Sequence, residues 1–257
     1  MHVRAKIMNR FENKVTLVTG AASGMGRATC KRFAAEGASV FAIDVDEAGL
    51  TELASEVNAE GGTITTRVCN VASKDACTEA VNAAVETYGK LDTLANVAGI
   101  VRFNNSTELS EQEWNLVLAI NLSGPMYLSQ AAIPHLIEAN GSIVNVCSNA
   151  GLMGQAYTAA YCASKGGLVQ LTRSMAMEFM KKTIRINAVC PGGTDTAMNK
   201  GIDFPKDVDW DLIDRYTGKR GMAPAEDLAS AIAYLASDEA RTVHGSIFSV
   251  DNGIMAG

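Results

Sequence analysis

The feature that most constrains this chain is a repeating order of short β-branched runs and amphipathic stretches, punctuated by glycine. The first unit is the clearest. Lys14 to Thr19 (KVTLVT) reads as a buried strand, and TGAASGMG follows at once with Gly20, Gly24 and Gly26. A helix then carries Ala28, Phe33 and Ala34 inward and stops at Gly37, and ASVFAID forms a second strand ending at Asp44. A glycine-rich turn between strand and helix leaves backbone N–H groups free at the helix N-terminus, where a phosphate is stabilised. The spacing is not G-x-G-x-x-G, and a glycine-rich loop alone is weak evidence. Its place between a strand and a helix, with an acid about 20 residues on, is what gives it meaning.

Asp44 at the end of the second strand would accept hydrogen bonds from both ribose hydroxyls of an adenosine and repel a 2′-phosphate. Neither Val45 nor Ala21, Ala22 and Ser23 offers a compensating cation, and Arg27 lies in the helix beyond the last glycine. NAD is therefore favoured over NADP.

The alternation continues. DEAGLTELASEVNAEGG is a helix with Leu50, Leu53, Ala54 and Val57 on one face, and TITTRVCNV is a third strand. SKDACTEAVNAAVETYG is a second amphipathic helix, and LDTLANVAG a fourth strand. EQEWNLVLAINLSGPMYLSQAAIPHLIEAN is expected as one or two helices, with Pro125 and Pro134 marking bends or breaks. GSIVNVCS is a fifth strand ending at Ser148. QAYTAAYCASKGGLVQLTRSMAMEFM is a long helix, TIRINAVCPGG a sixth strand, and GSIFSVDNG a last one after a helix begun at Pro224. Strands alternating with helices of this length imply a doubly wound parallel sheet covered on both faces, with ligands at the carboxyl ends of its strands. Asp44, Asn70, Asn96 and Ser148 all fall at such ends. Residues 194–220 lack periodicity, and their aspartates alternate with Phe204, Trp210 and Tyr216; they are expected to form a substrate-covering lid.

Composition narrows the function. A chain of 257 residues, 47% hydrophobic, suffices for one α/β domain, read here as 11–257 behind a tail of residues 1–10. A net charge of −6 without a basic cluster argues against nucleic acid. No apolar run looks uninterrupted enough to span a membrane, and MHVRAKIMNRFENK lacks the apolar region of a secretory signal. The six cysteines form no C-x-x-C pair and read as buried thiols in a reducing compartment, so a cytoplasmic location is expected. The three histidines have no metal-ligand spacing, and no metal is expected.

Chemistry concentrates between Ser148 and Lys165 (SNAGLMGQAYTAAYCASK). Tyr161 and Lys165 are four residues apart and share a helix face. An ammonium there favours the ionised phenol, and a hydroxyl from Ser148 could hold a substrate oxygen beside it. General acid–base catalysis at an alcohol or carbonyl follows. The Tyr-x-x-x-Lys spacing is common by itself, and its context carries the argument.

With TGAASGMG, Asp44, ANVAG at 95–99, Asn121, Ser148, YCASK at 161–165, PGGTDT at 191–196 and VDNG at 250–253, the chain resembles the compact short-chain dehydrogenase/reductases over nearly its whole length. The resemblance implies a single-domain Rossmann fold with a mostly seven-stranded parallel sheet. It implies that Tyr161 is the general acid/base, that Lys165 lowers its pKa and holds the nicotinamide ribose, and that Ser148 holds the substrate oxygen. Asn121 would position a water linking Lys165 to solvent, a role compatible with capping a backbone. Asn96 would brace neighbouring strands, and Thr196 would bind the carboxamide above Pro191 and Gly192. The implied cofactor residues are Gly20, Ser23, Gly24, Met25, Gly26, Asp44, Val45, Asn70, Val71, Asn96, Ala98, Gly99, Tyr161, Lys165, Pro191, Gly192, Thr194 and Thr196. Asn70 stands where the family commonly has aspartate, and VDNG replaces its usual double glycine.

The expected reaction is hydride transfer between NAD and a secondary alcohol or ketone. The alternatives are a silent NAD-binding regulator on the same fold and sugar-nucleotide epimerase chemistry, for which the chain looks too short. Leu152, Met153, Tyr157, Met198, Phe204 and Trp210 are the candidate substrate walls beside Ser148, with Arg102 at the mouth. They suggest an apolar pocket. By the same resemblance the chain forms a homotetramer through its long helices and terminal strand.

Overall fold

In the computed structural model, which describes residues 9–196 and 202–256, the strands are β1 (Val15–Thr19), β2 (Ser39–Asp44), β3 (Thr63–Val68), β4 (Thr93–Asn96), β5 (Ser142–Val146), β6 (Arg185–Pro191), β7 (Thr194–Asp195), β8 (Ala223–Pro224) and β9 (Ile247–Val250). The helices are α1 (Gly24–Ala35), α2 (Glu47–Ala59), α3 (Lys74–Tyr88), α4 (Glu111–Leu118), α5 (Gly124–Glu138), α6 (Ala159–Glu178), α7 (Trp210–Asp214) and α8 (Ala225–Ala236). Seven strands form one sheet in the order β3-β2-β1-β4-β5-β6-β9, every pair parallel, while β7 and β8 make a separate two-residue ladder. This is the doubly wound α/β fold. The strand order reverses between β1 and β4, and a crevice opens there at the carboxyl ends.

Alternation along each strand builds the two faces. Leu17, Phe41 and Ile43 pack on one side with Val81 and Ala84 of α3, Leu128 and Leu136 of α5 and Met175 of α6. Val18, Val40 and Ala42 pack on the other with Phe33 of α1, Leu50 and Leu53 of α2, and Leu228 and Ile232 of α8. Burying both faces needs near-continuous apolar strands, and β1 is buried at all five positions. The edge strands β3 and β9 are half-exposed. Buried Arg185 at the start of β6 donates to the carbonyls of Leu235, Ala236, Ser237 and Ala240, closing the C-terminal end of α8 against the sheet.

The run from Glu111 to Glu138 is one continuous helical rod, long and apolar enough by length and composition to cross a membrane. The expectation that no stretch approaches that threshold is thereby corrected. The rod is an element of this core: Val117, Leu128, Ala132 and Leu136 are buried, and α5 packs on α3. It carries a π-helical turn at Ala119–Ser123, and Pro125 follows in the first turn of α5. Pro134 sits inside α5 without ending it.

Other boundaries moved by a few residues. The helix expected from Gln155 begins at Ala159, because Tyr157 adopts a left-handed backbone with φ of 65°. The last strand ends at Val250, where Asn252 and Gly253 turn with φ of 54° and 84°. Asn tolerates that conformation, so VDNG can replace a double glycine. Of the expected tail, residues 1–8 lie outside the described residues, whereas Arg10 is anchored to Glu36 and Glu239.

Candidate active site and cofactor cleft

The crevice is lined by Gly20, Ser23, Gly24, Met25 and Gly26 of the first turn, Asp44 and Val45 after β2, Asn70 and Val71 after β3, Ala98 and Gly99 after β4, and Thr196. Glycine is obligatory in this turn. A Cβ at Gly26 would stand 2.0 Å from the Gly20 carbonyl oxygen, and Gly20 itself has φ of +66° against the backbone of Ala98. The N-terminus of α1 opens into the cleft: Ser23 makes no side-chain cap and the first turn holds no acid. Such a terminus offers N–H groups to an anion. Thr196 lies across the same turn, its Cγ2 3.1 Å from where a Gly24 Cβ would be.

Asp44 braces the loop. Its Oδ2 accepts from the Ala22 N–H at 3.0 Å and its Oδ1 from the Asp46 N–H at 3.1 Å. Arg27 is engaged on its own side: it donates to the Ala22 and Gly49 carbonyls and to Glu56. Asn70 is exposed, and its Oδ1 accepts from the Ala72 N–H at 3.0 Å. Cys69, Val97, Ile100 and Ile120 also line the cleft and were missed in the sequence. Each adjoins a marked residue, so only proximity along the chain could have flagged it.

Thr19 at the end of β1 accepts from the N–H groups of Val97 and Ala98, holding the β4 turn in place. Asn96 Nδ2 donates to Asn145 Oδ1 at 2.8 Å, and Asn145 donates onward to Thr172 of α6. Asn96 thus ties β4 to β5 from inside the sheet, away from the cleft lining.

The reactive groups meet where β5 ends. Lys165 is 3% exposed. Its Nζ donates to the Val146 carbonyl at 2.8 Å and stands 5.8 Å from the centre of the Tyr161 ring. Gly99 leaves the room, since a Cβ there would lie 3.2 Å from Lys165 Nζ and 3.3 Å from Asn121 Oδ1. Asn121 sits in the π-helical turn, fully buried. Its side chain is spent on bracing: Oδ1 accepts from the Ile100 N–H, and Nδ2 donates to the Ile100 carbonyl and to Ser164.

The Tyr161 phenol is pushed up to about 12, chiefly by burial, with the Ser148 hydroxyl opposing. Burial also drives the Lys165 ammonium below its ordinary value. The direction expected from a Tyr–Lys pair, a lowered phenol, is thus reversed: the loss of water is the largest influence, and the neighbouring Cys147, Cys162 and Cys190 add to it. Ser148 is itself buried; its Oγ donates to Asn149 Oδ1 and accepts from the Ala150 N–H, both at 3.1 Å.

Of the expected substrate walls, Tyr157, Phe204 and Trp210 gather with Phe103, which the sequence did not single out. Phe103 and Phe204 lie 4.7 Å apart and Phe204 and Trp210 5.1 Å apart, centre to centre. Tyr157 joins three segments: its carbonyl accepts from the Asn104 N–H at 2.8 Å and its hydroxyl from the Asp209 N–H at 2.9 Å. Leu152 packs instead on the cluster of Cys147 and Leu168, so it serves the core. Met153 is half-buried beside it, Met198 lies outside the described residues, and Arg102 is exposed. Pro191 closes β6, and Thr194, in β7, is buried with its hydroxyl on the Gly192 carbonyl.

Cleft, glycine turn and Ser–Tyr–Lys group occur together at the carboxyl edge of one parallel sheet. Residues 20–255 match the family model described as enoyl-(acyl carrier protein) reductase. The chain belongs to the short-chain dehydrogenase/reductase family of oxidoreductases. It is 38% identical to the 3-oxoacyl-(acyl-carrier-protein) reductase FabG of Thermotoga maritima over 96% of this chain and 99% of that protein. It is 35% identical to a meso-2,3-butanediol dehydrogenase of Serratia marcescens, over 96% of each. The crystal structure of a putative short-chain alcohol dehydrogenase from Sinorhizobium meliloti 1021 superposes with a TM-score of 0.88 at 32% identity, covering 97% of this chain and 99% of that one.

Proposed function

We propose that this short-chain dehydrogenase/reductase transfers a hydride between NAD and a secondary alcohol or ketone, with Tyr161 as general acid/base. The observation that carries the reading is the meeting of buried Ser148 and Lys165 at the carboxyl end of β5, with Lys165 Nζ 5.8 Å from the centre of the Tyr161 ring, next to the glycine-rich cleft. NAD, when bound, supplies or accepts the hydride and brings a positive charge in its oxidised form. The chain manages the proton. Ser148 holds the substrate oxygen within reach of the phenol. Tyr161 Oη gives its proton to that oxygen in reduction or takes it in oxidation. Lys165 holds the ribose and favours the phenolate, and Asn121 orders a water leading from Lys165 to solvent.

The cradle fits a dinucleotide through the turn at Gly20, Gly24 and Gly26 and the open N-terminus of α1. Asp44 supports NAD over NADP, as does the engagement of Arg27 with Glu56. Phe103, Phe204 and Trp210 favour an apolar group on the substrate. The two named relatives act on a 3-oxoacyl group and on a vicinal diol by their names, which is consistent with an alcohol/ketone pair. A homotetramer is part of the proposal: Met177 and Met180 near the end of α6, and Phe248 of β9, are exposed apolar side chains that association would cover. So is a cytoplasmic location, which the six free cysteines fit.

The test is NADH formation across a panel of secondary alcohols, with NADP in parallel. Turnover with NAD on one alcohol class supports the reading. Tight NAD binding with no turnover on any alcohol or ketone contradicts it.

A further inference from the structure

Residues 251–256, after β9, fold into a turn whose side chains reach two separate parts of the molecule. Buried Asp251 builds the turn: its Oδ1 accepts from the Gly253 N–H and its Oδ2 from the Met255 N–H, both at 3.0 Å. Asn252 Nδ2 donates to the Gly221 carbonyl at 3.0 Å. Ile254 lies between two glycines. A Cβ at Gly192 would stand 2.9 Å from its Cδ1, and a Cβ at Gly218 would stand 3.2 Å from its Cγ1.

Gly192 belongs to the turn after β6, and Gly218 and Gly221 form the foot of the segment 202–222 that carries Phe204 and Trp210. Above that foot the segment is held by side-chain bonds, from Asn105 to Asp207, from the Asp209 N–H to Tyr157, and from Tyr216 to the Ala156 carbonyl. Below it the chain is paired in the ladder of β7 and β8, and the Ala223 N–H reaches the Gly193 carbonyl at 2.9 Å. Between the two, residues 218–221 close on themselves through one long bond, Gly221 N–H to the Gly218 carbonyl at 3.3 Å. Gly221 has φ of +78°, and a Cβ there would meet nothing within 4 Å. Such a stretch can absorb a backbone rotation, as hinges do. Asn252 itself has a left-handed backbone, φ 54°, where glycine costs least. An asparagine at that position is accounted for by what its amide holds.

We infer that Asn252 and Ile254 are positioning residues that fasten the foot of segment 202–222 to the turn at Gly192. With them in place the segment bends from before Gly218; without them it bends from the start of β8. Asn252 holds the segment alone, through its hydrogen bond. Ile254 holds the segment and the Gly192 turn to each other, by packing against both. The consequence for turnover rests on the proposed hydride transfer, whereas the fastening can be read without it.

Lys219 and Arg220 stand between the two glycines that the turn touches, so trypsin reports directly on this foot. Asn252→Gly keeps the left-handed turn and removes the amide. Asn252→Asp keeps the shape and tolerates the same backbone, but it offers the Gly221 carbonyl an acceptor in place of a donor. In both variants cleavage after Lys219 or Arg220 should be about fivefold faster, the effect of one ordinary hydrogen bond on local opening. Cleavage elsewhere and the melting temperature should stay as in wild type. Ile254→Ala should speed the same cleavage.

The experiment is limited trypsin digestion of the full chain, with the cut sites read by mass spectrometry, beside steady-state kinetics on the same proteins. Both Asn252 variants should raise KM for the alcohol about fivefold with kcat and NAD affinity unchanged. Ile254→Ala should in addition weaken NAD, because it also frees the Gly192 turn. Unchanged cleavage after Lys219 and Arg220 in both Asn252 variants overturns the inference. So does cleavage that rises equally across the chain with a lower melting temperature, since that is a loss of fold. Faster cleavage at the foot with an unmoved KM overturns the positioning role. Faster cleavage at the foot of a protein that turns over no alcohol or ketone keeps the fastening and sinks the proposed function.

Discussion

The two halves of this molecule hold their ligand-facing residues by different means. On the cofactor side, the positions are set by backbone: Gly26 pressed on the Gly20 carbonyl, Thr19 gathering two N–H groups of the β4 turn, and Asp44 braced on the Ala22 N–H. On the substrate side, long side chains reach across gaps. Tyr157 holds Asp209, Tyr216 donates to the Ala156 carbonyl at 3.0 Å, and Asn105 donates to Asp207 at 2.9 Å. Trp210 remains 59% exposed in spite of its contact with Phe204. A backbone cradle admits almost no substitution. A segment fastened by single side-chain bonds can be retuned one bond at a time, which is where the proposed substrate side can vary on a constant chemistry.

The sharpest break in that contrast should come from Gly26→Ala. Its Cβ has nowhere to go, so NAD binding should be lost in calorimetric titration and the melting temperature should fall, reflecting the roughly 1–3 kcal/mol of stability lost at an overpacked site. Retained NAD affinity would show that the cradle is looser than its geometry. Next is the pH response. Reduction uses the neutral phenol, which burial maintains far above neutrality, so its rate should stay flat from pH about 6 to 9; oxidation uses the phenolate and should climb with pH. Lys165→Met should move the oxidation limb to higher pH, and an unchanged limb would argue against its role. The linkage has a matching sign. A phenol raised to about 12 contributes stability below its unfolded value of about 10, and that contribution disappears as pH rises through 12. Wild type should therefore lose ground to Tyr161→Phe in thermal melts only at alkaline pH.

Asp44→Ser should narrow the preference for NAD over NADP by about tenfold, read as a ratio of kcat/KM values. The repulsion of a 2′-phosphate goes, but no cation replaces it. The smallest effect belongs to the Tyr157–Asp209 contact. Tyr157→Phe deletes the bond to the Asp209 N–H and leaves the ring, so KM should rise about fivefold with kcat and the melting temperature unchanged. A fall in kcat without a change in KM would place Tyr157 in the proton chemistry instead.

How much could be read from the sequence divides along the same line. Strand alternation, the glycine turn, Asp44 and the group of Ser148, Tyr161 and Lys165 were legible because each obeys a local rule of period, capping or spacing. Phe103 was not, since its partner Phe204 is about a hundred residues away and no periodicity links them. The pattern could not decide between one helix and two over Glu111–Glu138, because a proline at the start of α5 reads as a bend or break when it follows an unseen π-helical turn. The start of α6 was misjudged for a related reason: two hydrogen bonds of Tyr157, both non-local, hold a left-handed residue where the pattern favours helix. The direction of the Tyr161 shift was also hidden, because spacing reports a neighbouring charge but not the loss of water around it.

The most direct measurement is the steady-state oxidation of the best secondary alcohol by wild type and Tyr161→Phe, with NAD affinity measured in both. The account predicts a fall in kcat of about 10²–10⁴-fold with NAD affinity unchanged. A variant that turns over at the wild-type rate would contradict it.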